Sequence, residues 1–129
     1  MFALKEMPVI RNQRVIKRGD IYLCNLPKEN GSVQANLRPV IVIQNNIGNR
    51  YSSTLIVIPL SKRYKELPTH VKLEQGVGGM FYDSFAYCEQ IRTIDKSWLD
   101  KFVGTLDTQS APFRAIENAV LISLGLSLP

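Results

Sequence analysis

Two apolar, β-branched runs, Pro39–Gln44 (PVIVIQ) and Thr54–Leu60 (TLIVIPL), set the tightest limit on how this chain folds. Neither alternates apolar with polar residues, as a strand with one wet face does. Both are far shorter than the roughly 20 residues that a membrane-crossing helix needs. Short unbroken runs of this kind belong to strands covered on both faces. Around them the chain reads as β-rich. Asp20–Leu26 is a strand closed by Pro27, Thr69–Leu73 a further short strand, and Ser84–Thr93 one continuous strand. Asn45–Ser53 reads as a turn, Gly76–Gly79 (GVGG) as a mobile turn, and Ser97–Phe102 as a short helix capped by Ser97.

One element has the other period. After Thr108, Phe113, Ile116, Val120 and Leu124 recur at three- and four-residue steps, with Ala119 and Leu121 widening the stripe. That spacing predicts an amphipathic C-terminal helix laid on the sheet. The expected architecture is mainly β: a small, bent antiparallel sheet or barrel closed by a helix. The 129 residues suit one domain, residues 17–129, preceded by an unpatterned extension over 1–16.

Charge narrows the partners. Sixteen Lys and Arg against eleven Asp and Glu leave a net charge of +5, which favours a polyanion, either nucleic acid or an acidic protein segment. Cys24 and Cys88 stand alone in apolar segments and read as reduced core thiols of a cytoplasmic protein. The charged N-terminus argues against a signal peptide, and no run is long enough to enter a membrane.

The sequence lacks a nucleophile elbow, a zinc-protease helix, a phosphate-binding loop and a dinucleotide fingerprint. His/Cys/Asp/Glu spacing suggests no metal site and no cofactor. His70 is the single histidine, which excludes a two-histidine nuclease; in its PTHV setting it reads as a strand or turn residue. What remains are polar residues at strand ends. Arg38 stands before Pro39, where a long polar loop (Lys28–Leu37) meets a covered strand, and Thr54 opens the next strand. Glu89, Gln90 and Arg92 follow in a later one. By spacing alone, Arg38 and Glu89 are ordinary surface charges and Thr54 a strand former.

The ordered series RGDIY (18–22), GSVQ (31–34), LRPVIVIQN (37–45), SST (52–54), LPTHV (67–71) and EQIRTID (89–95) resembles the MazF/PemK toxins over about residues 17–126. The resemblance implies a small SH3-like barrel with a C-terminal helix, working as a homodimer. It also implies an endoribonuclease that cuts single-stranded RNA without a metal, paired with an acidic antitoxin through which alone DNA is bound. On this resemblance Arg38 and Thr54 take the catalytic positions, Ser32 and Gln34 contact RNA, and Glu89 and Gln90 match the family's acid–amide pair. Val33 replaces a loop glutamate of many relatives, Asn36 and Leu37 replace glycines, and Tyr87 replaces an arginine used by one member.

Such chemistry uses the substrate's 2′-hydroxyl as nucleophile and leaves a 2′,3′-cyclic phosphate. Arg38 and Thr54 are then the donors to the charged transition state, and Glu89 is the candidate base. Arg50 and Arg92 are expected to grip the RNA backbone. Tyr22, Tyr51, Tyr64, Phe81 and Tyr82, interleaved with Lys62, Arg63 and Lys65, are the candidate stacking surfaces. Two alternatives share the fold: a degenerate module that binds without cutting, and a gyrase-poisoning toxin. The second works through C-terminal residues including an exposed tryptophan, for which Trp98 is poorly placed.

Overall fold

The computed structural model describes residues 14–27, 31 and 36–129. Its strands are β1 (Asp20–Leu26), β2 (Asn36–Val42), β3 (Thr54–Ser61), β4 (His70–Leu73), β5 (Ser84–Tyr87), β6 (Arg92–Asp95) and β7 (Leu99–Thr105). Helix α1 (Asn46–Tyr51) lies between β2 and β3, and α2 (Ala111–Ser123) closes the chain. The strands form one antiparallel sheet in the order β4-β5-β3-β2-β1-β7, with β6 also pairing β3. The sheet bends without closing on itself, so its architecture matches the expected bent sheet and helix rather than a sealed barrel.

The covered runs explain themselves once both faces are seen. Ile41, Ile58 and Leu60 point into a core completed by Leu73, Ala86 and the α2 residues Phe113, Ile116 and Ala119. Val40, Val42, Leu55 and Val57 point the other way, into a second core with Ile16, Tyr22, Cys24, Leu26 and Ile94, flanked by Trp98, Leu99 and Phe102. Over Pro39–Val42 and Val57–Leu60, alternate residues thus enter two different apolar clusters, while Leu37 and Ile56 nearer the strand starts stay exposed.

Five local expectations need correction. Asn45–Ser53 is not a plain turn: Asn45 accepts from the Gly48 amide at 2.8 Å and caps α1. Ser84–Thr93 is not one strand, because a 3₁₀ turn at Cys88–Gln90 separates β5 from β6. Ser97–Phe102 is not a helix. Asp95, rather than Ser97, caps a single 3₁₀ turn at Lys96–Trp98, and the chain then enters β7. Gly78 and Gly79 are tightly packed: a Cβ on Gly104 would run into the Gly78 carbonyl oxygen, and one on Gly79 would meet the Val103 oxygen at 2.5 Å. Glycine is there to let two backbones touch. Fourth-turn residues of the α2 stripe also fall short, since Leu121 and Leu124 stay exposed while Ile116 and Ala119 are buried.

Residues just before 17 also pack on the sheet. Ile16 is buried, and the Arg14 guanidinium lies 3.7 Å from the centre of the Phe102 ring. Arg18 of the RGDIY motif ties the sheet to α2, donating to the Ile43 carbonyl at 2.9 Å and pairing with Glu117 at 2.7 Å.

Candidate active site

Arg38 sits on β2 directly across from Cys24 of β1. The β2–β3 register pairs Val40 with Pro59, Ile41 with Ile58 and Val42 with Val57. Carried two residues further, it sets Arg38 opposite Ser61, the last residue of β3. Ser61 pairs in turn with Phe85 of β5, and Phe85 with Lys72 of β4. Residues directly opposite in an antiparallel sheet point to the same side. Cys24 and Arg38 are therefore directly opposite, as are Ser61, Phe85 and Lys72, all on the face turned away from α2, which carries the second core. Arg92 joins that face one strand over: it pairs with Val57 and lies close enough to Cys24 to favour that thiol's charged form.

Thr54 is elsewhere. It and Ser61 are the first and last residues of the eight-residue β3, which separates them by about 23 Å in an extended strand. They also point to opposite faces, since residues seven apart in a strand have opposite parity. The Thr54 hydroxyl lies 3.0 Å from that of Ser52, and its carbonyl accepts from Gln44 at 3.1 Å. Those bonds belong to a closed polar knot. Asn49, 3% exposed, donates to the Gln44 carbonyl at 2.9 Å, and Lys96 donates to the Asn49 carbonyl at 2.6 Å. Burial holds the Lys96 ammonium below its ordinary pKa. The structure thus does not bring Arg38 and Thr54 together. Extended two residues past its last pair, the β2–β3 register runs from Arg38 to Ser61.

Sequence reasoning missed Ser61 because it sits at the end of an apolar run, where a serine reads as the start of a loop. Only the strand register reveals it. Arg50 is likewise at the far end, on α1 with its guanidinium 5.3 Å from the Tyr51 ring centre, beside an open groove of about 450 Å³ lined by Val15, Ile16, Ile47 and Tyr51. Ser32 and Gln34 lie outside the described residues. Of the proposed stacking rings, Tyr22 is a core residue, 2% exposed and edge-on to Phe102. Tyr51, Tyr64 and Phe81 are exposed, and the Lys62 ammonium sits 4.0 Å from the Tyr82 ring centre. Trp98 is half-buried against the second core, which removes it as an exposed C-terminal anchor.

Glu89 and Gln90 ride on the 3₁₀ turn after β5, held from behind by a Ser123 hydroxyl bond to the Cys88 carbonyl at 3.3 Å. Both Glu89 oxygens are occupied: Oε1 accepts from Thr69 at 3.0 Å, and Oε2 lies 2.8 Å from His70 Nε2. Burial alone would raise the Glu89 carboxyl. Hydrogen bonds from His70, its own backbone and Thr69 outweigh that and hold it below its ordinary value. His70 Nδ1 faces the Lys65 carbonyl at 2.7 Å, and its ring lies flat on Tyr87, 4.0 Å between centres and 8° between planes. His70 begins β4, so its strand placement stands.

Cys24 and Cys88 are free and buried. Burial pushes both thiols up to about 12, with Arg92 opposing the rise at Cys24 and Glu89 adding to it at Cys88. At neutral pH they are protonated core residues, not nucleophiles. Among the described residues no group of three or more His, Cys, Asp or Glu side chains converges as a metal site. No helix among them is long and apolar enough to cross a membrane.

Comparison with known proteins agrees with this architecture. Residues 17–124 match the family described as PemK-like, MazF-like toxin of type II toxin–antitoxin systems. The chain is 40% identical over 114 residues to "Endoribonuclease MazF" of Staphylococcus saprophyticus, covering 87% of this chain and 93% of that one. Among solved structures, MazF from Deinococcus radiodurans superposes with a TM-score of 0.75 at 18% identity, covering 88% of this chain and 99% of that one. An endoribonuclease solved with its cognate antitoxin from a mycobacterial species superposes with a TM-score of 0.71 at 23% identity, covering 88% and 99%. At such identities these structures speak to the fold alone.

Proposed function

The chain belongs to the PemK-like, MazF-like toxins of type II toxin–antitoxin systems, and we propose that it is an endoribonuclease acting on single-stranded RNA through Arg38 and Ser61. The observation that supports this reading is that Arg38 and Ser61 lie toward the same end of β2 and β3 and, by strand parity, on one face, with Lys72 and Phe85 in register with Ser61.

The chemistry follows from what that row offers. Attack of the 2′-hydroxyl on the adjacent phosphorus forms a new P–O bond and expels the 5′-oxygen of the next nucleotide, leaving a 2′,3′-cyclic phosphate and a 5′-hydroxyl. Negative charge gathers on the non-bridging oxygens in the transition state. Arg38 meets them with a planar, permanently charged fork, and Ser61 with a single hydroxyl. Each such fixed donor is worth about 10²–10³ in rate. Arg92 extends the contact along the same face, and Gln90, Ser32 and Gln34 are assigned to the RNA path in the same reading. Arg50 and Thr54 are withdrawn from the reading because they lie at the other end of β3.

The same reading includes a cytoplasmic protein that works as a homodimer and is neutralised by an acidic antitoxin segment occupying the basic face. Exposed Ile47 and Tyr51, grouped beside one groove, are the kind of apolar surface that a second subunit covers. DNA contact is assigned to the antitoxin complex alone.

The test uses defined single-stranded RNA in EDTA with the wild-type protein and the Arg38→Ala, Ser61→Ala and Thr54→Ala variants. The expected result is cleavage to cyclic-phosphate ends that Arg38→Ala and Ser61→Ala abolish and Thr54→Ala spares. RNA binding without any cutting by the wild-type protein overturns the enzyme reading in favour of a binding module. Loss of cutting in Thr54→Ala but not in Ser61→Ala overturns the assignment of the hydroxyl.

A further inference from the structure

An aromatic ring stands in the open on the connection between β3 and β4, on a stretch of backbone that is fastened on both sides. We propose that Tyr64 is a stacking platform for one base of single-stranded RNA, a subsite that favours a purine over a pyrimidine. The inference rests on the reading of the Arg38 face as the RNA path and is independent of which hydroxyl assists the reaction.

Tyr51 and Phe81 are more exposed than Tyr64, so exposure does not single it out; support does. On one side of it, the Tyr87 hydroxyl donates to the Arg63 carbonyl at 2.7 Å. On the other, His70 Nδ1 lies 2.7 Å from the Lys65 carbonyl. The Tyr64 ring meets Phe85 edge to face, with 5.2 Å between centres and 71° between planes. Phe85 is itself buried, so the contact holds the Tyr64 ring to the sheet. Each ring of an edge-to-face pair keeps at least one face clear of the other, and Tyr64 is 65% exposed. A ring already held in place gives up little freedom when a base settles on its open face.

The surroundings suit the flanking phosphates. Arg63 and Lys65 are exposed on either side, and Lys72, on the neighbouring strand, shares its half-exposed ammonium with Asp83 at 3.6 Å. Phe85 is in register with both Lys72 and Ser61, which puts the platform at the end of β3 toward which Arg38 lies. The Tyr64 hydroxyl donates to Glu66 at 3.2 Å. That carboxylate raises the phenol above its ordinary value, against a smaller pull from Lys72. The ring is therefore neutral at neutral pH and presents a π surface. Purines offer it more area than pyrimidines, which is the source of the expected preference.

The experiment maps one cleavage site with the wild-type protein and then measures binding of a short RNA oligonucleotide spanning it. A 2′-deoxyribose at the cleaved position keeps that RNA whole. Tyr64→Ala and Tyr64→Leu are expected to raise Kd roughly fivefold to a hundredfold, while Tyr64→Phe and Tyr64→Trp stay within about twofold of wild type. Bases are also removed from the oligonucleotide one at a time. A single abasic position should weaken wild-type binding by the same factor and leave Tyr64→Ala unaffected, and a purine there should bind more tightly than a pyrimidine. The slope of log affinity against log salt stays the same in Tyr64→Ala and falls by about 0.7 in Lys72→Ala.

Tyr64→Ala binding as well as wild type, Tyr64→Leu matching Tyr64→Phe, or no abasic position coupled to Tyr64 overturns the platform while the RNA reading stands. A reduced salt slope in Tyr64→Ala overturns it too, because the side chain then acts by arranging cations. Should the wild-type protein bind RNA but cut none, the same comparison on an unmodified oligonucleotide decides the platform, and only the enzyme reading falls.

Discussion

The two ends of β3 carry the same chemical group in opposite circumstances. At one end the Thr54 hydroxyl is folded into bonds with its own turn and sits beside a polar knot of Gln44, Asn49 and Lys96. At the other, Ser61 is buried, accepts a bond from the Arg63 amide and lies toward the same end of the sheet as Arg38. Both hydroxyls take part in bonds of their own turns, but Ser61 lies at the end of the sheet that carries Arg38, where the reading gives it the donor's part. What separates them is not residue type but seven positions of strand, which reverse both the end and the face.

The largest expected effect breaks or upholds that contrast directly. Ser61→Ala lowers the single-turnover cleavage rate by about 10²–10³, whereas Thr54→Ala changes it by no more than about threefold. Ser61→Thr, which keeps the hydroxyl, retains most of the rate. Equal losses at both ends in the same assay would erase the distinction.

Next in size is a stability effect confined to the Thr54 end. Asn49→Ala removes a buried amide that bonds the Gln44 carbonyl and leaves that group unpaired, at a cost of about 1–3 kcal/mol in urea unfolding. The cleavage rate of the folded fraction stays at the wild-type level. A variant as stable as the parent would show that the knot is not what holds α1 to the sheet.

A smaller effect sharpens the comparison through salt. Arg92 shares the Arg38 face and Arg50 does not. Arg92→Ala therefore reduces the slope of log affinity for single-stranded RNA against log salt by about 0.7, the share of one phosphate contact. Arg50→Ala leaves the slope unchanged. The reverse result would move the RNA path to the α1 end.

The smallest effect is in acid. Because the Glu89 carboxyl is held below its ordinary 4.5 in the folded chain, the fold binds fewer protons there than the unfolded chain does. Its contribution is complete above about pH 4.5 and is lost as pH falls through the lower folded value. Half-exposure screens it, so Glu89→Gln flattens the acid limb of a Tm-against-pH curve only slightly. A steeper acid limb in the variant would contradict the sign.

Much of this molecule could be read from the chain alone, for physical reasons. Unbroken β-branched runs demand cover on both faces, and the three- and four-residue stripe from Phe113 to Ala119 demands a helix. Lone cysteines in apolar segments are buried thiols. Local signals also failed locally. Asn45 capped a helix where turn residues were read, Cys88–Gln90 broke a strand that periodicity ran together, and Gly78 and Gly79 served close packing.

What only tertiary structure decided is which groups face each other. Strand pairing is set by contacts between segments distant in sequence, and a single register fixes both the opposite residue and the face for every side chain in the strand. Nothing local to Ser61 distinguishes it from any serine at the end of an apolar run, and nothing local to Thr54 shows that its hydroxyl bonds to Ser52. The residue types that the chemistry needs were therefore visible in the chain, while their partners were decided by how β2, β3 and β5 pair, a property that no residue carries by itself.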